Sequence, residues 1–294
     1  MSSDTSASSE LPGEEGSELT TELVKRGLHS LGSHPISLQL VYLHINVSSL
    51  HLRSIDILAN YSNLILVDIS DNLLVSLRCL SGLPYLTTLI ANRNRIQQCL
   101  DFGPPHCTAE NPWSQGHFAI GSMLTFADLS CNQISTIGDI RHHEFMECLL
   151  LQNNRIEIIP DLQALRYLLV LDLSNNRLTS LDPLKGLRLH ELYASGNKIS
   201  SLQGISELSS LRILHADSNL IESTASLAKI EYLREVSLSR NRIQKICDLG
   251  HLRNLDHLVS LSFEGNPCSS KPFYRYLILP ALTLFYFILY SVSD

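Results

Sequence analysis

The sequence of 294 residues predicts an α/β solenoid, in which short repeating units stack into a curved parallel sheet. One phrase predicts it: apolar-x-x-apolar-x-apolar-x-x-Asn recurs nine times, mostly 21 or 22 residues apart. Each phrase also contains a short alternation of apolar and outward-facing positions, which suits a strand. The phrases end at Asn72, Asn94, Asn132, Asn154, Asn176, Asn197, Asn219, Asn241 and Asn266.

Each part of the repeat predicts one part of the unit. The alternating stretch, clearest in LLVLDLSNNRLTSL (168–181), predicts strands about 4.8 Å apart, so that ten strands give a sheet on the order of 45 Å long. The return segment of about a dozen residues is too short for most full helices and predicts an extended or 3₁₀ convex side. The asparagine is expected to turn inward and satisfy backbone groups at the bend.

The two ends of a solenoid need covers, because a terminal repeat would otherwise expose its core edge. The first residues are rich in Ser and Glu and predict disorder. The predicted segments are a disordered tail at 1–18, an N-terminal helical cap at 19–37, a solenoid of about ten repeats at 38–266, and a C-terminal cap with an apolar tail at 267–294.

The N-terminal cap and first repeat are assigned from apolar spacing. Leucines and a valine at helical intervals in LTTELVKRGLHSLG (19–32) predict an amphipathic helix that ends at Gly32. Residues 38–55 are predicted as a degenerate first repeat. Its strand phase is set by Leu40, Leu43 and Ile45, and Ser48 stands where asparagine would fall.

One interval is longer than the repeat length, because 38 residues separate Asn94 from Asn132. The surplus lies in 101–122, where Trp113 is a candidate partner-binding anchor. His106, Cys107 and His117 are a weak zinc set without a suitably spaced fourth ligand, so we predict no metal site and no cofactor.

The tail has two interpretations. Residues 276–293 carry no charge and approach the length of a membrane span. Pro280 and several tyrosines interrupt that stretch, however, and no basic cluster follows it. We therefore predict a helical C-terminal cap over 273–285, with a tail-anchored membrane adaptor as the alternative.

Composition narrows the function. With 22 basic and 29 acidic residues, the net charge is −7, and no basic block is available to neutralise nucleic-acid phosphates. The seven cysteines form no CxxC pair, and the N-terminal residues contain no apolar signal-peptide region. We expect a cytoplasmic monomer with reduced thiols that binds protein and neither nucleic acid nor membrane.

The nine-position phrase is that of the leucine-rich repeat. The stretch LSFEGNPCSSKPFYRYLILPALTLF (261–285) resembles the C-terminal cap of intracellular 22-residue leucine-rich-repeat proteins, through Gly265, Asn266, Pro267, Tyr274 and Arg275 and the Leu-Pro-x-Leu run at 279–282. This resemblance implies an interaction scaffold, with a cytoskeletal, ciliary or sperm-flagellar setting.

A narrower resemblance is to proteins that join leucine-rich repeats to a guanylate kinase domain. It is carried by ELVKRGLHSLG (22–32), LQLVYLHINVSSLHLRSIDIL (38–58) and DFGPP (101–105). The chain has no glycine-rich phosphate loop, so kinase activity is not expected of these residues. The alternative function is therefore the regulatory repeat half of such a protein, truncated before its kinase domain.

The predicted site is the outward face of the strands. Asp172, Tyr193 and His215 fall on consecutive strands, but an open sheet excludes no water, so we predict binding rather than catalysis. Aromatic and arginine side chains are the types that anchor protein partners. The candidate residues are Asp68, Phe126, Asp128, Leu150, Asp172, Tyr193, Arg212, His215, Arg234 and Ser237.

Overall fold

The computed structural model describes residues 16–34, 38–102, 123–245, 252 and 255–270. Within them one α-helix, α1, spans Thr21–Gly27. The strands are β1 (Ser17–Glu18), β2 (Leu28–Ser33), β3 (Leu40–Asn46), β4 (Leu52–Ser54), β5 (Leu66–Asp68), β6 (Thr88–Ile90), β7 (Phe126–Asp128), β8 (Cys148–Leu150), β9 (Val170–Asp172), β10 (Glu191–Tyr193), β11 (Ile213–His215), β12 (Glu235–Ser237) and β13 (Ser260–Ser262).

Eleven strands form one sheet whose order follows the chain, β2-β3-β5 and then onward to β13. Strand β2 is antiparallel to β3, and every other neighbour pair in the sheet is parallel. At about 4.8 Å per spacing, the ten parallel strands extend over roughly 43 Å. The predicted parallel solenoid is confirmed.

The convex side is built from short 3₁₀ segments and extended chain, as the repeat length predicts. Each segment except Pro267–Ser270, which follows Asn266, comes after a buried apolar or threonine side chain that points into the core, for example Leu77 and Leu181. The segments are Asp56–Asn60, Arg78–Gly82, Asp182–Leu184, Gln203–Ile205, Ala225–Lys229 and Pro267–Ser270.

The repeat leucines form one continuous core between the sheet and the convex side. In the repeat that begins at Leu168, the side chains of Leu171, Leu173, Leu178 and Leu181 are fully buried. Every repeat contributes the same positions, so each unit buries its apolar residues against its neighbours.

The repeat asparagines form a hydrogen-bonded ladder beside this core. The Asn176 side-chain amide donates to the carbonyl oxygens of Leu151, Leu173 and Ser174 at 3.0, 3.0 and 3.2 Å. Its Oδ1 accepts from the backbone N–H of Ile156 at 2.9 Å. The predicted scaffold role of the asparagines is confirmed, since these contacts satisfy backbone groups where the strand ends.

The residue before each ladder asparagine has left-handed backbone, with φ between 52° and 72°. Gly196 and Gly265 fit that conformation without a Cβ penalty, and Asn153 and Asn175 are among the residues that tolerate it. This bend turns the chain out of the strand and brings the following asparagine inward.

The N-terminal cap differs from the prediction. The helix covers only 21–27, and residues 28–32, predicted as its continuation, lie in strand β2. The antiparallel register is unbroken across Ser30, whose φ is 58°, and strand alternation sets Leu28 against Ile45 on the core side and Leu31 against Tyr42 on the opposite side. The leucine spacing that suggested a helix therefore belongs to a strand with leucines on both of its sides.

The predicted disordered tail, 1–18, is too long by at least two residues. Ser17 and Glu18 form β1, which pairs with β4. The backbone N–H of Ser17 donates to the His51 carbonyl and that of Leu19 to the Ser54 carbonyl, both at 3.1 Å. These bonds hold the segment against the convex side of the first repeat.

The phase predicted for the first repeat is wrong by two residues. Ile45 pairs with Val67, and Leu50, not Ser48, occupies the asparagine position. The backbone N–H groups of Leu50 and Leu52 donate to Asn72 Oδ1 at 3.1 and 2.9 Å. In the next repeat, the Leu74 N–H donates in the same way to Asn94 Oδ1. A shift of two residues leaves the faces of an alternating strand unchanged, so the apolar pattern did not distinguish the two registers.

Several predictions lie outside the described residues: the insertion from 103 to 122 with Trp113, His106, Cys107 and His117, and the C-terminal segment from 271 to 294. In the described part of the chain, no helix has the length and apolar character that a membrane crossing requires.

His143 lies in a return segment, where polar side chains are usually solvated, but it is buried, whereas its neighbour His142 is exposed. The His143 ring lies edge-on to Phe102 with centroids 5.2 Å apart, and its Nε2 lies 3.2 Å from the Phe102 carbonyl oxygen. Its Nδ1 is buried without a hydrogen-bond partner among the described residues. Burial lowers the pKa of His143 to about 4.

This burial predicts an acid-sensitive stability. The folded pKa lies below the ordinary value, so the stabilisation is present above pH 6.5 and is lost as pH falls towards 4. We expect the free energy of unfolding to fall by about 2 kcal/mol from this group between pH 7 and pH 5. Urea denaturation at pH 7 and at pH 5 measures this change in the free energy of unfolding. His143→Gln should flatten the pH dependence, whereas the control His142→Gln should leave it unchanged; equal profiles for both variants would contradict the assignment.

Candidate functional site

The outward residues of the strands form one continuous surface, called here the concave face. It consists of three columns. The first column is Leu66, Thr88, Phe126, Cys148, Val170, Glu191, Ile213, Glu235 and Ser260; the central column is Asp68, Ile90, Asp128, Leu150, Asp172, Tyr193, His215, Ser237 and Ser262; the third column is Ser70, Asn92, Ser130, Gln152, Ser174, Ser195, Asp217, Ser239 and Glu264.

Register places the predicted central residues directly beside one another. Asp172 pairs with Tyr193, and Tyr193 pairs with His215. The central-column side chains are all half-buried, because neighbouring strands cover their sides but nothing described covers their tips. The structure therefore brings the central-column candidates together, although whether they bind a partner stays a prediction.

The central aspartates are oriented by the turn that follows each strand. Asp68, Asp128 and Asp172 each accept, through Oδ1, the backbone N–H of the residue two positions later, at 3.0, 3.0 and 2.8 Å. The second carboxylate oxygens of Asp68 and Asp128 accept the side-chain amides of Asn46 and Asn92 at 3.1 and 2.7 Å. All these donors are neutral, so the contacts orient the carboxylates and leave their charge in place.

A polar network occupies the second half of the face. The Tyr193 hydroxyl donates to Glu191 Oε2 at 2.9 Å, and the Tyr193 ring lies edge-on to His215 with centroids 5.2 Å apart. His215 Nε2 lies 2.9 Å from Glu235 Oε1. Asp217 Oδ1 accepts both the Ser237 hydroxyl and the Ser239 N–H at 2.6 Å. The polar groups here largely satisfy one another.

This network gives little support to proton-transfer chemistry. Burial, followed by the hydrogen bond to Glu191, raises the pKa of Tyr193 to about 12. The phenol therefore stays protonated near neutral pH and serves as a donor to Glu191. His215 has its own carboxylate partner, and the row Asp172, Tyr193, His215 does not form a linear relay.

The predicted arginines flank the face rather than lie within it. Arg212 and Arg234 are exposed and immediately precede β11 and β12. Neither guanidinium forms an ion pair with a described residue. Phe126, by contrast, lies in the first column, between Thr88 and Cys148.

Sequence reasoning missed one part of this surface. Strands β2 and β3 form a hairpin in which Leu31, Leu40 and Tyr42 are 58%, 72% and 46% exposed. Tyr42 lies on the same side of β3 as His44, which is in register with Leu66 of the concave face. The alternation in LQLVYLHIN (38–46) was the available signal, but the helical interpretation of β2 obscured it.

An apolar row outside the concave face was also missed. Tyr85, Met123, Phe145 and Tyr167 occupy the same repeat position, immediately before the first apolar residue of their phrases, and all are exposed. The Phe145 and Tyr167 rings stack with centroids 5.9 Å apart. The recurrence of large apolar residues at one repeat position was the signal for this row.

The described residues offer no grouping of three or more His, Cys, Asp or Glu side chains that could hold a metal ion. The weak zinc set and the Trp113 anchor lie outside the described residues, so the structure does not test them.

Comparison with known proteins agrees with this geometry. The sequence model described as Leucine Rich Repeat matches residues 167–187. The leucine-rich repeat domain of APL1B superposes with a TM-score of 0.59 at 22% identity, over 76% of this chain and 68% of that one. An internalin C2 of Listeria monocytogenes superposes with a TM-score of 0.53 at 23% identity, over 76% of this chain and 86% of that one. The fold is a leucine-rich-repeat solenoid.

Among curated proteins, the human leucine-rich repeat and guanylate kinase domain-containing protein is 36% identical over 87 residues. The match covers 30% of this chain and 10% of the human protein. It supports the predicted similarity to that protein's repeats. The leucine-rich-repeat solenoid is an architecture that presents an extended surface, and the concave face is such a surface.

Proposed function

We propose that this chain is a non-catalytic protein-interaction scaffold that binds a polypeptide along the concave face. The observation that carries the proposal is the continuity of that face: ten parallel strands present their outward side chains on one uninterrupted surface. Phe126, Tyr193 and the flanking Arg212 and Arg234 supply the side-chain types that dominate protein interfaces. Following the sequence resemblance, we propose a cytoplasmic setting in the cytoskeleton of a cilium or sperm flagellum.

A paired substitution tests the site. Tyr193→Ala plus Arg212→Ala removes an aromatic and a cationic anchor from neighbouring strands, and we expect roughly a tenfold loss of partner affinity. Quantitative pull-down from an extract of ciliated cells, with recovered proteins measured by mass spectrometry, identifies partners whose recovery falls.

The matched control changes the same residue types away from the face. Tyr232→Ala plus Arg242→Ala alters two exposed residues outside the three columns. Partner recovery that is reduced equally by both pairs would place binding outside the concave face. The same conclusion follows if neither the first pair nor Phe126→Ser plus Leu150→Ser, in the first half of the face, reduces recovery.

A second candidate function is favoured by the match to the human protein. In it, the chain is the repeat portion of a guanylate-kinase-domain protein and regulates that domain by holding a partner near it. Reading the transcript beyond the codon for Asp294 decides between the two. An in-frame phosphate-binding loop supports the second candidate, and a stop codon removes it.

A further inference from the structure

We infer that the concave face binds a basic amphipathic helix, seated across β5 to β9 and bordered by the β2–β3 hairpin. This inference rests on the proposed function and specifies the chemistry of the partner. It depends on the distribution of charge, on the position of exposed apolar side chains and on the spacing of the strands.

Charge on the concave face has one sign. None of the three columns contains a lysine or arginine, whereas seven of their residues are acidic: Asp68, Asp128, Asp172, Glu191, Asp217, Glu235 and Glu264. No described lysine or arginine forms an ion pair with any of these carboxylates. A partner bearing positive charge is therefore favoured by the field of the sheet.

Apolar side chains restrict the footprint to the first half of the face. Leu66, Ile90, Phe126, Leu150 and Val170 are outward and half-buried on β5 to β9. The second half is occupied by the self-satisfied network around Tyr193, and Arg212 and Arg234 at its edge would repel a basic segment. The hairpin extends the first half, because Tyr42 and Leu31 continue its outward side and are exposed.

Spacing along the central column selects a helix over an extended strand. The column reads Asp68, Ile90, Asp128, Leu150, Asp172, so acidic and apolar side chains alternate at about 4.8 Å. An α-helix advances about 5.3 Å in 3.5 residues, whereas the same-side residues of a strand are about 6.7 Å apart. A helix with Lys or Arg at i, i+7 and i+14 and apolar residues at the intervening i+3 or i+4 positions therefore matches the column.

The experiment uses the full chain and random phage-displayed peptides of about 20 residues, which as a helix would extend roughly 30 Å. Selected peptides are sequenced and their affinities are measured by fluorescence anisotropy. We expect an excess of Lys and Arg over Asp and Glu at seven-residue intervals, and induced helical circular dichroism on binding.

Two matched triple variants test the charge. The first triple variant removes three charges but keeps the side-chain oxygens that accept the turn N–H groups; it combines Asp68→Asn, Asp128→Asn and Asp172→Asn. The second triple variant removes three exposed charges away from the columns; it combines Glu157→Gln, Glu222→Gln and Glu231→Gln. We expect the first triple to weaken peptide binding at least roughly tenfold, and the second to change it less than about twofold.

A third variant, Phe126→Ser plus Leu150→Ser, separates this inference from the proposed function. If the selected peptides fail to bind this variant and yet show no excess of Lys and Arg, the basic helix is overturned and concave-face binding is left intact. The outcome is the same if they fail to bind this variant but still bind the aspartate triple with full affinity. The inference is also overturned if the library yields no peptide, or only peptides whose affinity is unchanged by both concave-face variants. The Tyr193 and Arg212 pair then decides the proposed function.

Discussion

Asn176→Asp is expected to lower the free energy of unfolding by about 4 kcal/mol at pH 7, because it places a carboxylate oxygen against three backbone carbonyls. In the native chain the Asn176 amide donates to the carbonyls of Leu151, Leu173 and Ser174, all within 3.2 Å. The Oδ1 contact with the Ile156 N–H would survive the change, so the variant isolates the donor side of the ladder.

The effect should depend on pH in a defined direction. Burial among carbonyl oxygens raises the pKa of the introduced carboxyl, so its protonation at acidic pH restores one donor and part of the stability. Urea denaturation followed by circular dichroism at pH 7 and pH 5 measures the difference from the wild type. The exposed neighbour Thr179, changed to alanine, is the control and should shift stability by less than about 0.5 kcal/mol. A loss for Asn176→Asp no larger than that of the control would show that the ladder does not support the fold.

Gly204→Ala is expected to lower the free energy of unfolding by about 3 kcal/mol, because there is no room for a methyl group between two repeats. Gly204 is buried in the 3₁₀ segment Gln203–Ile205. A Cβ built there would overlap the Leu181 carbonyl group and the Asp182 nitrogen of the preceding repeat. Backbone atoms cannot rotate away as a side chain can, so the two convex segments must separate.

Gly82→Ala provides the matched comparison on the same convex side. A Cβ at Gly82 would lie 3.2 Å from the Ala59 carbonyl oxygen and 3.3 Å from its Cα, a tight contact that small shifts relieve. We expect a loss of about 1 kcal/mol or less for this variant. Hydrogen exchange of the amides in 181–184 and 203–205 should localise the larger effect; equal stabilities for the two alanine variants would contradict the close-packing argument.

The regular repeats were predictable because one physical requirement recurs in every unit. A leucine at each inward position and an asparagine at each bend satisfy the same core and the same backbone groups, so nine copies of the phrase identify the fold and assign outward positions such as Asp172 and Tyr193. The aromatic row that includes Phe145 and Tyr167 was visible in the same register but was not sought, because apolar residues were assigned to the core.

The N-terminal end was less predictable because it lacks that redundancy. Leu28 and Leu31 fit a helical interval as well as the two opposite sides of a strand, and only pairing with Ile45 and Tyr42 distinguishes the two. His143 is a similar case: a polar residue in a return segment is usually solvated, but here the Phe102 ring and carbonyl cover it.

The linear chain of residues was enough to determine the solenoid, its strand register from Leu64 onward and the inward role of the asparagines, since these depend on short-range periodicity repeated many times. Contacts between distant segments decided the rest. The hairpin that enlarges the concave face, the buried His143 and the division of that face into an acidic, apolar half and a self-satisfied polar half arise where side chains from different repeats meet. No local sequence pattern predicts these contacts, because their free energy depends on which side chains the fold places next to one another.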